Sequence, residues 1–364
     1  MSKTFFTAAA VGLTAAAAAQ AGGIDRSGQS ITALFEKGRY GEFSLGSIAP
    51  DTSGTSTVFG GGPAPSGDLT PSYLQFGAAY KADINDQLSY ALIYDQPFGA
   101  DVEYPTGTGY FAQGARAEFN SQALTGLLRY KMPSNVSIYG GLRVQSVEAT
   151  AAVPFVGGYS VDGDRDTSVG YVVGASFEKP EIALRVSLTY NSKIEHDVAT
   201  TEMFGATTLP GSTTTIETPQ SVNLEFQTGI AADTLLFGGV RWVEWSEFDI
   251  TPANYPPGAL VSYEDDVFTY SLGVGRRLND TWSVAASLGY EKSNGGFASN
   301  LGPTDGNKSL GVAATYTSGN MKITSGIRYV NIGDAQTTLD GTNAASNFGD
   351  NDAIAVGVKV GFNF

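Results

Sequence analysis

The chain ends Ile354-Ala355-Val356-Gly357-Val358-Lys359-Val360-Gly361-Phe362-Asn363-Phe364, and the rest of the sequence is best read from this stretch. Taken two at a time, Ile354, Val356, Val358, Val360, Phe362 and Phe364 form an unbroken apolar series; Ala355, Gly357, Lys359, Gly361 and Asn363 form the other. A period of two puts each series on its own face of an extended strand and argues against a helix. The length matches the roughly 9–11 residues that a tilted strand needs to cross a bilayer. So complete an apolar face, with no polar tail after it, is expected of a strand that closes a sheet against lipid.

The opposite end of the chain predicts export. Lys3 gives a positive start, Phe5 to Ala18 a short apolar run, and Ala19-Gln20-Ala21 a small-x-small cleavage site. Residues 1–21 are therefore expected to be a signal peptide, with Gly22 opening the mature protein.

Composition narrows the class further. Gly 46, Tyr 18 and Phe 20 in 364 residues, with mean hydropathy -0.06, suit many short strands and glycine-bearing turns. Apart from the N-terminus, no run reaches the roughly 18 apolar residues of a membrane helix, whereas alternating membrane strands escape hydropathy windows. Cys 0 excludes disulfides and thiolate metal sites. A net charge of -15 argues against a nucleic-acid partner, because phosphate binding needs a basic surface.

Residues 22–38 do not alternate, and Ile31, Leu34 and Phe35 fall at helical spacing behind Ser30, which predicts a short turn able to fold inward as a plug. From residue 39 the alternation becomes regular. Phe43 and Leu45 open it, followed by Leu74, Phe76 and Tyr80, then Leu88, Tyr90, Leu92 and Tyr94. Short turns are expected at 83–86, 133–135, 179–181, 232–233, 279–280 and 318–319, and long polar loops near 51–71, 105–115, 151–166, 198–219, 251–263, 294–305 and 334–350. Every second connection being short is the asymmetry of an outer-membrane barrel, with short periplasmic turns and long extracellular loops.

The connections leave about fourteen strands, an even number as closure requires. Arg129, Arg143, Arg185, Arg241, Arg328 and Lys359 share the non-lipid parity with Glu42, Asp95 and Glu225. That face must be wet or internally paired, since a lipid-facing arginine at the midplane costs about 2–4 kcal/mol. The expected fold is all-β: a membrane-spanning antiparallel barrel over residues 39–364, with a short N-terminal hatch over 22–38.

The third strand breaks the pattern. Pro97 cannot donate to a ladder, and Gly99 relaxes the backbone beside it, so Pro97, Phe98 and Gly99 predict a kink in the wall. Four runs carry a family resemblance: Asp25-Arg26-Ser27-Gly28-Gln29, Pro97-Phe98-Gly99 with Tyr104, Thr218-Pro219-Gln220-Ser221, and Arg241-Trp242-Val243-Glu244-Trp245-Ser246-Glu247-Phe248. With the strand plan, they resemble the FadL-type outer-membrane transporters of long-chain fatty acids and other hydrophobic compounds. The resemblance implies a monomeric fourteen-stranded barrel with an N-terminal hatch and a kinked third strand. It implies passive uptake, with no enzyme activity and no cofactor, and lateral exit at Pro97, Phe98 and Gly99 into the outer membrane. The implied partners are a long-chain fatty acid or similar hydrophobe, outer-membrane lipid and lipopolysaccharide, and the barrel assembly machinery.

Ile31, Leu34, Phe35 and Phe98 are the candidates for holding an acyl chain, and Arg129 or Arg143 for a carboxylate, the arginines competing with lumen ion pairs to Glu42 or Asp95. The family's Asn-Pro-Ala hatch motif is replaced here by Ala33-Leu34-Phe35-Glu36. The competing function is a general diffusion porin for hydrophilic solutes, which predicts an intact third strand. The single histidine, His196, is expected to be a solvated residue at a loop base, and Asp162 to Asp166 and Glu264 to Asp266 to be solvated acidic loop tips.

Overall fold

The computed structural model describes residues 24–58, 63–256 and 258–364; the expected signal peptide lies outside them. Fourteen strands form one closed antiparallel barrel. They are β1 (Tyr40–Asp51), β2 (Tyr73–Asp83), β3 in two pieces (Leu88–Asp95 and Gly99–Glu103), β4 (Arg116–Lys131), β5 (Val136–Val153) and β6 (Tyr159–Lys179). Then come β7 (Leu184–Asn191 and Ile194–Phe204), β8 (Ser212–Thr218 and Ser221–Ala231), β9 (Thr234–Val243) and β10 (Val267–Arg277). The last four are β11 (Trp282–Glu291), β12 (Asn307–Ser318), β13 (Met321–Ile332) and β14 (Asp352–Asn363).

The C-terminal stretch closes the ring as its alternation predicts. β14 pairs with β13 on one side and on the other zips to β1 from Tyr40↔Asn363 to Asp51↔Asp352. Ile354, Val356, Val358 and Phe362 stay exposed, and Lys359 turns inward to Glu42, 3.5 Å away, whose carboxylate also accepts the Tyr40 hydroxyl at 2.8 Å.

The outward band is continuous around the barrel: Leu74, Leu142, Val169, Leu224, Leu272, Leu288 and Leu310 are all exposed. A belt of that extent fits lipid and would not stay unpartnered in water. Tyrosine pairs edge it above, Tyr171 with Tyr190 and Tyr270 with Tyr290, and Trp282 with Tyr316 edges it below, the levels where amphipathic rings sit at headgroups.

The upper wall differs from the sequence expectation. Residues 159–166 and 198–204 continue β6 and β7, and 212–218 begin β8, where loops were expected; β9 ends at Val243 and a short turn, Trp245–Glu247, follows. The reason is physical. The lipid-facing apolar series stops at the membrane boundary, but the ladder continues in water with Glu195, Asp197, Thr213, Thr215 and Glu217 outside and Ile194, His196, Val198 and Ile216 inside. His196 is correspondingly wholly buried, not solvated. A small five-stranded sheet built from residues 54–56, 64–65, 297–298, 335–338 and 344–348 joins the outer loops.

Candidate functional site

Three features meet inside the barrel: a gap in the wall, an N-terminal segment lying in it, and an apolar slot above. The gap follows from the sequence of β3. β2 and β3 pair only from Asp83↔Ser89 to Ala78↔Tyr94, so Tyr73 to Gly77 have no partner on β3, roughly 16 Å of ladder at ~3.3 Å per residue. Pro97 supplies no donor, and the strand resumes at Gly99 against β4. The Phe76 amide, left facing the gap, donates instead to the Gln96 side chain at 2.7 Å.

The N-terminal segment supplies the missing backbone. Asp25 makes an isolated antiparallel bridge to Phe98; the Arg26 amide donates to Pro97 O and the Gly99 amide to Ile24 O, both at 2.8 Å. A Cβ on Gly99 would stand 2.5 Å from Arg26 Cζ, so glycine is what lets the guanidinium lie there. That guanidinium also sits 4.1 Å from the centre of the Tyr73 ring. Burial lowers its pKa, opposed by Tyr73, Asp101 and Glu118.

Two polar clasps hold the segment. Arg241 Nε donates to Asp25 Oδ2 at 2.5 Å, while its other nitrogens reach Asn223 Oδ1 at 2.8 Å and Gln29 Oε1 and Ser221 Oγ at 3.1 Å. Ser27 Oγ donates to Asp95 Oδ2 at 2.5 Å on the opposite wall. Gly28 and Gln29 adopt positive φ, the tight reversal that turns the chain downward. Every residue of the Asp25-Arg26-Ser27-Gly28-Gln29 run therefore has a structural use.

Below the turn, Ile31, Leu34 and Phe35 are buried with Ala79, Ala91, Ile93, Leu127, Tyr139 and Val172 of the lower lumen. The Phe35 ring lies between two guanidiniums, Arg129 at 4.9 Å and Arg185 at 4.6 Å, and edge-on to Tyr139 at 5.8 Å. Arg129 is ion-paired to Glu178 and donates to Ser137 at 2.9 Å. Its partner is thus neither Glu42 nor Asp95. Arg143, also buried, donates through Nε to Thr125 at 2.9 Å; among the described residues its Nη1 has no hydrogen-bond partner, and Asp95 is the opposite charge that acts on it most.

The slot lies above the kink. Ile24, Ala100, Phe119, Val198, Ile216, Phe248 and Tyr263 are among its walls, and it encloses about 40 Å³. Phe98 packs at the foot of the same cluster, edge-on to Trp245 with centroids 5.7 Å apart; Trp245 meets Phe248 at 5.4 Å and Phe248 meets Phe119 at 6.2 Å. Burial raises the Tyr263 phenol well above its ordinary pKa, so it is a neutral wall. The structure therefore places Phe98 at the slot with the Trp245–Phe248 turn, and Ile31, Leu34 and Phe35 in a separate cluster lower down. Phe119, Val198 and Ile216 were not among the sequence candidates; inward parity was the available signal for Phe119, whereas Val198 and Ile216 lie where a loop is expected from the sequence. Asp266, expected to be a solvated loop acid, accepts from Ser246 Oγ at 2.6 Å and from Trp242 Nε1 at 3.0 Å, anchoring the turn.

Fold and site define an outer-membrane barrel whose wall is interrupted beside an apolar slot. Residues 46–364 match the family described as outer membrane protein transport protein (OMPP1/FadL/TodX), and the chain belongs to that family. It is an outer-membrane transporter of hydrophobic compounds, and its family are transport channels, not enzymes.

Among solved structures, a Pseudomonas aeruginosa FadL homologue is similar with TM-score 0.72 at 13% identity, over 92% of each chain. The Ralstonia pickettii toluene transporter TbuX gives 0.65 at 11%, over 96% of this chain and 97% of that one. The Pseudomonas putida toluene transporter TodX gives 0.65 at 14%, over 91% of each. At these identities the likeness shows the fold alone. No curated protein sequence matches the chain.

Proposed function

We propose that this barrel takes up long-chain fatty acids or similar hydrophobes passively and releases them sideways into the outer membrane through the interruption between β2 and β3. The observation carrying this reading is the wall gap itself, occupied by Ile24 to Ser27 where the ladder fails. A hydrophobe gains little from a watery exit and much from lipid, so a side door beside an apolar slot suits its chemistry. Residues 24–38 act as the hatch: moving Asp25 and Arg26 away opens the gap, while Ile31, Leu34 and Phe35 stopper the lumen below.

In this reading Phe98 hands the acyl chain from slot to gap, and Ile31, Leu34 and Phe35 offer apolar surface as the hatch moves. Arg143 receives the carboxylate, its Nη1 having no hydrogen-bond partner among the described residues; Arg129 is the weaker candidate because Glu178 already pairs it. A cavity of about 150 Å³ is known to hold benzene, so a slot of about 40 Å³ must widen for either a ring or an acyl chain. Two structural relatives are named toluene transporters, which makes a monoaromatic the natural comparison substrate.

The test is uptake of labelled oleate and labelled toluene by cells carrying the wild-type chain, a deletion of residues 24–38, or Gly99→Val. Valine at residue 99 puts a branched side chain where Arg26 now lies and so displaces the segment from the gap, as the deletion does outright; uptake is expected to rise severalfold with the barrel still assembled. Uptake insensitive to both changes would overturn the hatch and the lateral route.

A further inference from the structure

The barrel wall is interrupted a second time, between β6 and β7. Their ladder runs from Leu184↔Lys179 to Asn191↔Val172 and resumes only at Thr200↔Gly163. Apart from a bond from the Ser192 amide to Tyr171 O, neither 164–170 nor 193–199 has a backbone partner on the other strand, roughly 23 Å of ladder at ~3.3 Å per residue. The cause is local. β6 bulges against β5, where Val147↔Asp166 is followed by Ala149↔Gly163, and bulges bend a strand away from its neighbour. β7 itself is broken at Ser192 and Lys193.

Unlike the gap at β3, this one is filled by side chains. Ile194 and Val198 lie over glycines of β6: a Cβ at Gly170 would stand 2.6 Å from Ile194 Cγ1, and one at Gly163 2.8 Å from Val198 Cγ1. Between them His196 Nδ1 meets Asp166 Oδ2 at 2.9 Å, and the other ring nitrogen lies 3.4 Å from Gln145 Nε2. At the lower end the Ser192 amide donates to Tyr171 O at 3.0 Å, level with the outer aromatic girdle formed by Tyr171 and Tyr190. The interruption thus opens at headgroup height. Its outer rim is charged, with Lys193, Glu195, Asp197 and Arg165 exposed, and at its upper end Val198 and Thr200 line the apolar slot.

We propose that this interruption is a side entrance, through which an amphipathic hydrophobe held at the headgroup level of the outer leaflet reaches the slot without crossing the loops, with Asp166 and His196 as its bar. A charged rim suits the polar head and an apolar throat suits the tail. Hydrophobes concentrate at the interface and are scarce in bulk water, so a door at that height meets them where they are. Closure by side chains lets the door open by rotamer changes, with no backbone register to break. The inference rests on the function proposed above.

The chain has no cysteine, so a pair of substitutions can be addressed cleanly. In Asp166→Cys with His196→Cys, a short reducible bis-thiol cross-linker holds the bar shut. Uptake of oleate loaded into the outer leaflet is expected to fall severalfold on cross-linking and to return with reductant, whereas equal uptake in both states would overturn the entrance. A second arm uses the unaltered chain with a diazirine-bearing fatty acid in the outer leaflet: adducts on Ile194 or Val198 are expected. Adducts confined to the outer loops and the β3 gap would overturn the entrance even if the paired variant failed to fold. Absence of oleate uptake by the wild-type chain would instead overturn the proposed function, and the labelling arm would still decide whether the door opens.

Discussion

Removing Asp25 should release the N-terminal segment without unfolding the barrel. In Asp25→Ala, Arg241 loses its one carboxylate contact among the described residues, at 2.5 Å, and keeps Gln29, Ser221 and Asn223 as neutral acceptors. A hydrogen bond to a charged group is worth roughly 1.5–3 kcal/mol. Asp25 is about a fifth exposed and Arg241 retains neutral partners, so the lower part of that range applies, about 1.5–2 kcal/mol. At ~1.4 kcal/mol per factor of ten, the opening constant of the segment rises about 10–30-fold.

Native-state hydrogen exchange reads this at the Arg26 and Gly99 amides, which bond across the gap to Pro97 O and Ile24 O. Both should exchange faster by about that factor, with β10 to β13 unchanged, because local opening and global unfolding are separate events. Oleate uptake should rise with it. Unchanged exchange at the two amides, or equal acceleration throughout the barrel, would refute the reasoning.

Trp245→Ala removes the ring that joins Phe98 to Phe248, a truncation that costs about 3–5 kcal/mol in a packed core; thermal unfolding should move down and uptake fall, and an unaltered uptake rate would argue that the slot is not on the path. Phe35→Ala withdraws the ring held between Arg129 and Arg185 and should raise the ion current in planar bilayers above that of the wild-type barrel, which is expected to be small, checked by single-channel recording. Arg143→Met should lower oleate uptake and spare toluene, since only the former carries a carboxylate; equal losses for both would assign Arg143 to wall structure.

The barrel was legible because a lipid-facing strand must alternate, and residues such as Leu142, Val144, Leu310 and Val356 obey that demand one by one. The kink was legible for an equally local reason, the missing donor of Pro97. What alternation could not reach was the wall above the membrane, where residues 194–204 and 212–218 remain paired but show water a polar face. His196 was misjudged for the same reason, since its neighbours Glu195 and Asp197 look like loop and its own face does not. The clasps were invisible as such. Asp25 and Arg241 are more than two hundred residues apart, and only folding shows that the Asp25–Gln29 run and the Arg241–Phe248 run converge on Phe98.

A disulfide across the β3 gap puts the lateral route itself on trial. Asp25 and Phe98 face each other in an antiparallel bridge whose flanking amides bond outside the pair, the narrow arrangement with Cα atoms about 4.5 Å apart. That spacing lies within disulfide reach, and the chain has no other cysteine to compete. In Asp25→Cys with Phe98→Cys, oxidation should pin the segment in the gap and stop uptake of labelled oleate, and reductant should restore it. Equal uptake by the oxidised and reduced barrel would contradict lateral release through strand β3.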